Sequence, residues 1–195
     1  EETAPTHLIL IVSGPAEFEQ QLVKNYYPIS REFSGASFDL GAFSPQETKE
    51  VLEKPLESEG TRWTQDGIDA VQRHTLGYPY LVQCLASATY AENAVLDEKL
   101  VESAISKAVE IGRPWLDHEL SNASDQDIIC FGKIGLTKKS NLRSSEISAL
   151  GISPPYIGRL VKLGVLRLVS RGRYNVQKSP MIATYHILRR GLSLN

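Results

Sequence analysis

The sequence predicts a short α/β segment followed by a mainly helical chain, a bundle of helices and then helices closed by a hairpin. Three observations carry this. Leu8–Val12 (LILIV) is a continuous apolar run that stops at Ser13-Gly14-Pro15, as a buried parallel strand does. From Ser44 onward apolar residues recur at helical spacing between capping residues. From Asp125 onward, glycines and prolines mark short helices, and two β-rich runs, VLRLV and RYNVQ, flank Ser170-Arg171-Gly172.

The first segment continues with a helix over about 16–26 and a strand around Ser37–Leu40. Two strands are too few for an independent sheet. With no initial Met and a strand beginning within a few residues, the chain is expected to be part of a longer protein, 1–43 being the edge of a larger core.

Four helices are expected over 44–111. Ser44, with Glu47 three positions on, forms a capping box ahead of Val51, Leu52 and Leu56, and Pro55 should kink that helix. Thr64 caps the second helix, carrying Ile68, Val71 and Leu76, and Gly77 ends it in the left-handed conformation. Pro79 opens the third and Asp97 caps the fourth. Residues 112–124 read as a connector with one helical turn over Trp115 and Leu116.

Over 125–195 the expected order is a helix from Asp125 to Ile134, a polar loop (TKKSNLR), and a short helix capped by Ser144 and ended by Gly151. Then come a helix capped by Ser153 and ended by Gly164, a two-stranded hairpin, and a closing helix. This is the order of a winged helix-turn-helix domain.

The net charge of −2 conceals a strong asymmetry. Residues 1–124 carry 9 Lys and Arg against 20 Asp and Glu, a net −11; residues 125–195 carry 12 against 3, a net +9. The basic half is a candidate for DNA. The alternative is that the two halves attract each other. Cys84 and Cys130 lie far apart in apolar helical contexts and read as buried free thiols in a reducing cytoplasm. No metal-ligand spacing occurs, and no apolar run is long enough for a membrane span.

Taken together, LILIVSG, then SREF leading to FDLGAFSPQETKEVL, then Gly77-Tyr78-Pro79, and the final helix-turn-helix resemble the AAA+/STAND P-loop ATPases, especially archaeal and bacterial ATPases related to replication initiators. The resemblance implies 1–43 as the end of the ATPase core, 44–111 as its helical lid, 112–124 as a linker and 125–195 as the winged helix. It implies Ser13 as the sensor 1 residue and Arg31 as an arginine finger, with Glu32 standing between that arginine and Phe33. Gly77, Tyr78 and Pro79 would lie against the nucleotide base or ribose. ATP and Mg²⁺ would be held by the parent protein and not by this chain alone, since it has no G-x-x-x-x-G-K-[ST] loop and no acidic pair after a strand. It also lacks the sensor 2 arginine, Arg73 lying just upstream of the expected place, and the Met-His-Asp box, His186 lying too far along. No catalytic residue beyond Ser13 and Arg31 is implied, and whether the parent hydrolyses ATP stays open.

Each residue also has a bland reading: a strand-end hydroxyl for Ser13, a solvated surface side chain for Arg31, an ordinary helix junction for Gly77–Pro79. In the basic domain Tyr156, Arg159 and Lys162 lie on the candidate recognition helix, with Ile157, Leu160 and Val161 toward the core. Arg167, Arg171 and Arg173 lie on the wing. Expected partners are DNA, the upstream core of the same chain and a second copy of the protein. The alternatives are a STAND-type signalling regulator whose winged helix contacts protein, and a stand-alone winged-helix transcription factor.

Overall fold

A computed structural model describes residues 41–56 and 60–194, together with the single position Lys24. The expected elements over 8–40, and with them Ser13 and Arg31, lie outside the described residues. Residues 42–195 form one compact unit, mainly helical with two small sheets. No helix among the described residues is long and apolar enough to cross a membrane.

Helix α1 (Pro45–Glu53) begins as its sequence dictates. The Glu47 amide donates to Ser44 Oγ at 3.3 Å, and the Ser44 amide to the Glu47 carboxylate at 2.8 Å. At Pro55 the chain tightens into a single 3₁₀ turn, Lys54–Leu56, rather than a kinked continuation. Helix α2 (Gln65–Thr75) is capped by Thr64, whose Oγ1 accepts from the Gly67 amide. Two successive left-handed residues end it: Leu76 at φ 51° and Gly77 at φ 75°. Helices α3 (Pro79–Thr89) and α4 (Glu98–Ile111) follow, the latter capped by Asp97. Leu52, Ile68, Val71, Leu81, Val82, Leu85, Val101 and Val109 bury their stripes together.

Two strands in this half have no sequence signature. β1 (Arg62–Trp63) and β2 (Val95–Leu96) pair in parallel, and two residues are too few to show a period of two. They matter for packing: the Thr64 amide donates to Leu96 O, so β2 lies directly on the start of α2.

The second half contains α5 (Arg113–Leu116), α6 (Asp125–Leu136), β3 (Asn141–Arg143), α7 (Ser144–Ala149), α8 (Pro154–Lys162), β4 (Leu166–Ser170), β5 (Arg173–Val176) and α9 (Pro180–Arg190). The sheet is antiparallel in the order β3-β5-β4. The polar loop expected at TKKSNLR is thus corrected: Asn-Leu-Arg is a third strand, alternating outward, buried, outward around Leu142. Ser144 is the first helical residue rather than the cap. The Arg143 amide, one position earlier, donates to the Glu146 carboxylate at 2.7 Å. Phe131, Ile134, Leu142, Ile147, Ile157, Leu160, Leu166, Met181 and Ile182 form the core here.

Residues 112–124 are closely packed. Leu116 and Ala123 are buried, and the segment is stitched to α9 and to Lys178 just before it. Tyr185 donates to the Asp117 carboxylate at 2.7 Å, Arg189 pairs with Asp117, and Lys178 pairs with Glu119 at 2.6 Å. The buried His186 places Nε2 2.6 Å from Glu119 O, so this nitrogen carries the proton. Burial pushes the pKa of His186 down, keeping the ring neutral. Helix α9 also reaches back to α2, where Ser179 Oγ donates to His74 O at 2.6 Å.

Cys84 and Cys130 are both buried and unpaired, and burial raises both thiol pKa values. A thiol reagent such as DTNB is therefore expected to react with both only after denaturation. Rapid reaction of either thiol in the native protein would contradict this packing.

Candidate nucleic-acid interface

Besides Lys139, Arg159 and Arg190, which pair with acids of the basic half itself, two groups of its cations stand out. The first faces the acidic half. Lys138, just past α6 at φ 57°, lies 2.7 Å from Glu98 and 3.0 Å from Glu102, both on α4. Arg73 joins them from α2, 2.8 Å from Glu98, and His74 Nε2 lies 3.2 Å from Glu102. The Lys138 hydrogen bond holds Glu98 below the ordinary carboxylate range and raises Lys138. Burial opposes ionisation of Glu102, but the close approach of Lys138 and His74 outweighs it and lowers its pKa. Attraction between the halves, one of the two readings of the charge asymmetry, is therefore built into this seam. A cavity of about 80 Å³ beside it, lined by Arg73, His74, Lys138 and Pro180, is far below the ~300 Å³ at which small-molecule sites begin.

The second group lies on the outer face of the three-stranded sheet. Pairing sets Arg143 of β3 directly opposite Arg173 of β5, and Arg167 of β4 opposite Asn175, which in turn faces Asn141. Leu142, Val176 and Leu166 take the inward positions and are buried, which leaves the arginines outside. The hairpin turns at Gly172, φ 71°, with Arg171 beside it at the tip, and the Ser144 amide ties the turn to β3 by donating to Gly172 O at 2.8 Å. An irregularity between Leu168 and Ser170 breaks the alternation, and Leu168 and Val169 are 55% and 54% exposed. Arg143, Arg167, Arg171, Arg173 and Lys162 form no salt bridge among the described residues.

Helix α8 presents less than its sequence suggests. Arg159 is held by Asp127 through two hydrogen bonds, Nε to Oδ1 at 2.8 Å and a terminal nitrogen to Oδ2 at 2.6 Å. The Asp127 side chain is fully buried at the start of α6 and also accepts from the Ser124 amide and hydroxyl. The Arg159 hydrogen bond is the main cause of its pKa of about 2. Tyr156 is half-buried, with the Arg159 guanidinium 5.9 Å from its ring centre. Val161, expected in the core, is 36% exposed, leaving Ile157 and Leu160 as the buried stripe. Lys162, the helix's other cation, forms no ion pair among the described residues.

Gly77, Tyr78 and Pro79 are placed at a close crossing. A Cβ on Gly77 would stand 2.1 Å from Phe43 O, and the Phe43 amide donates to Gly77 O at 2.8 Å. Tyr78 rests against Trp115 with ring centres 5.6 Å apart, and Pro79 starts α3. Among the described residues, no group of three or more His, Cys, Asp or Glu side chains is arranged to hold a metal ion.

Sequence reasoning missed Arg143. Its signal was the Asn-Leu-Arg alternation directly before a capped helix, masked by the polar residues around it. Comparison of the chain with protein-family models, curated proteins and solved structures returns no match.

Proposed function

We propose that residues 125–195 are a winged-helix module that binds double-stranded DNA, carried by the lid of a nucleotide-switched AAA+/STAND-type ATPase. The observation that carries the reading is the division of the cations. Those facing the acidic half pair with Glu98, Glu102, Asp117 and Glu119, whereas Arg143, Arg167 and Arg173 on the sheet and Arg171 at its turn are exposed and form no salt bridge among the described residues. Such a face is complementary to a polyanion. The helix, short helix, helix and hairpin order supports the winged-helix assignment. ATP and Mg²⁺ would be bound by upstream sequence carrying the phosphate loop. Gly77–Pro79 would report nucleotide state to the lid, and the seam would transmit it to the module.

A second reading, a signalling regulator whose winged helix contacts protein, draws support from the exposed aliphatic pair Leu168 and Val169.

Fluorescence anisotropy of the chain with two unrelated labelled duplexes, between ~50 and ~200 mM salt, tests the DNA reading. Affinity should fall linearly with salt on logarithmic axes. The double variant Arg171→Ala/Arg173→Ala should weaken both duplexes alike and flatten the slope by roughly 0.9 per lost contact. Absence of binding at the lowest salt would refute the reading in favour of a protein partner.

A further inference from the structure

We infer that the sugar-phosphate backbone of duplex DNA is gripped by the outer face of the three-stranded sheet, with Arg143 and Arg173 forming a two-guanidinium phosphate clamp, and not by helix α8. The inference rests on the DNA-binding reading above and specifies the surface and the mode of contact.

The clamp follows from the register. Directly paired residues in an antiparallel sheet hold their Cβ atoms about 4.5–5.5 Å apart, and like charges so placed repel. Arg143 and Arg173 are such a pair. Glu146 attracts Arg143 but forms no salt bridge with its guanidinium: it accepts from Lys139 Nζ at 2.6 Å through one oxygen and from the Arg143 amide at 2.7 Å through the other. A phosphodiester has two non-bridging oxygens and carries one negative charge. Placed between the two guanidinia, it accepts a hydrogen bond from each and turns their repulsion into attraction.

The rest of the face fits the same occupant. Next to the clamp lies the row Asn141, Asn175 and Arg167, in which Asn141 Nδ2 donates to Asn175 Oδ1 at 2.7 Å. That bond leaves the Asn175 amide hydrogens for a phosphate or sugar oxygen, with Arg167 beside it for a second phosphate. Toward the hairpin end of β4 the exposed Val169 offers aliphatic surface suited to a deoxyribose edge. Arg143, Arg173 and Arg167, one on each strand, spread positive charge across the sheet, as the repeating charge of a nucleic-acid backbone requires.

Helix α8 lacks the equivalent. Its arginine is committed to a buried carboxylate, and Lys162 is its one cation without an ion pair among the described residues. Contact through the sheet reads phosphates, so binding is largely independent of base sequence.

The test measures duplex affinity and salt slope for the 195-residue chain and three variants, Arg143→Ala/Arg173→Ala, Arg143→Lys/Arg173→Lys and Lys162→Ala, with thermal melts to confirm that each is folded. The first should lose about tenfold or more in affinity at low salt, and roughly 0.9 of slope for each contact removed. The lysine pair should restore most of the slope but not all of the affinity, because a point charge lacks the forked geometry. Lys162→Ala should change affinity less than about threefold. Loss on Lys162→Ala equal to or greater than that of the alanine pair, or no loss on the alanine pair, overturns the clamp while DNA binding stands. If the unaltered chain binds no duplex, the clamp and the DNA reading fall together.

Discussion

Replacing Arg159 with alanine is expected to destabilise the fold of residues 42–195, and to do so whether or not a nucleic acid is present. Its guanidinium is the charged partner of Asp127, whose side chain is fully buried at the start of α6. Removing it leaves that carboxylate with only Ser124 as donor. An orphaned buried polar group costs about 1–3 kcal/mol, here toward the lower end, because the arginine side of the pair faces water and its attraction is screened. The folded pKa of Asp127, about 2, lies below the unfolded value near 3.9. A depressed carboxylate stabilises the fold above its unfolded pKa, and that stability is lost as pH falls from about 4 toward about 2. In the variant the folded pKa moves back up, so less stability remains at neutral pH to be lost. Thermal melts from neutral to acid pH check both points. A melting temperature and an acid limb identical to those of the unaltered protein would contradict this role.

Gly77→Ala is the second large expected effect. The residue combines φ 75° with a Cβ position 2.1 Å from Phe43 O, and Phe43 is held in place by its amide, which donates to Gly77 O. Left-handed geometry alone costs a non-glycine residue about 1–3 kcal/mol, and the clash forces the entry to α1 away from the α2–α3 junction. The loss, about 2 kcal/mol or more, should be seen in denaturant unfolding without nucleotide. Tyr78→Phe should leave stability nearly unchanged, because the ring contact with Trp115 is retained. Unchanged unfolding of Gly77→Ala would leave nucleotide contact as the remaining reason for a glycine here.

Much of the helical framework is legible in the sequence because its signals are local. Ser44, Thr64 and Asp97 cap where their short polar side chains predict, and Gly151, Gly164 and Gly191 take positive φ at helix ends. What is not legible depends on residues far apart in the chain. β1 and β2 exist because α2 packs on Leu96, and β3 because β5 offers it an edge; neither has enough residues to declare a period. The connector over 112–124 reads as loose because its anchors, Tyr185, Lys178 and His186, lie near the other end of the chain. The site divides in the same way. The basic balance is visible in composition, but which cations are neutralised is not. Arg159 looks like a base-reading residue until Asp127, 32 positions earlier, is seen to hold it, and Arg143 gains meaning only opposite Arg173.

The central claim is that the uncommitted cations of the sheet face, and not the neutralised ones of the seam, meet DNA. Backbone amide NMR shifts recorded while a short duplex is titrated into the labelled chain test it most directly. The account predicts shifts concentrated at 141–144 and 167–175, with small changes at Arg73, Glu98, Glu102 and Lys138. Shifts confined to α8 or to the seam, with the sheet unmoved, would contradict it.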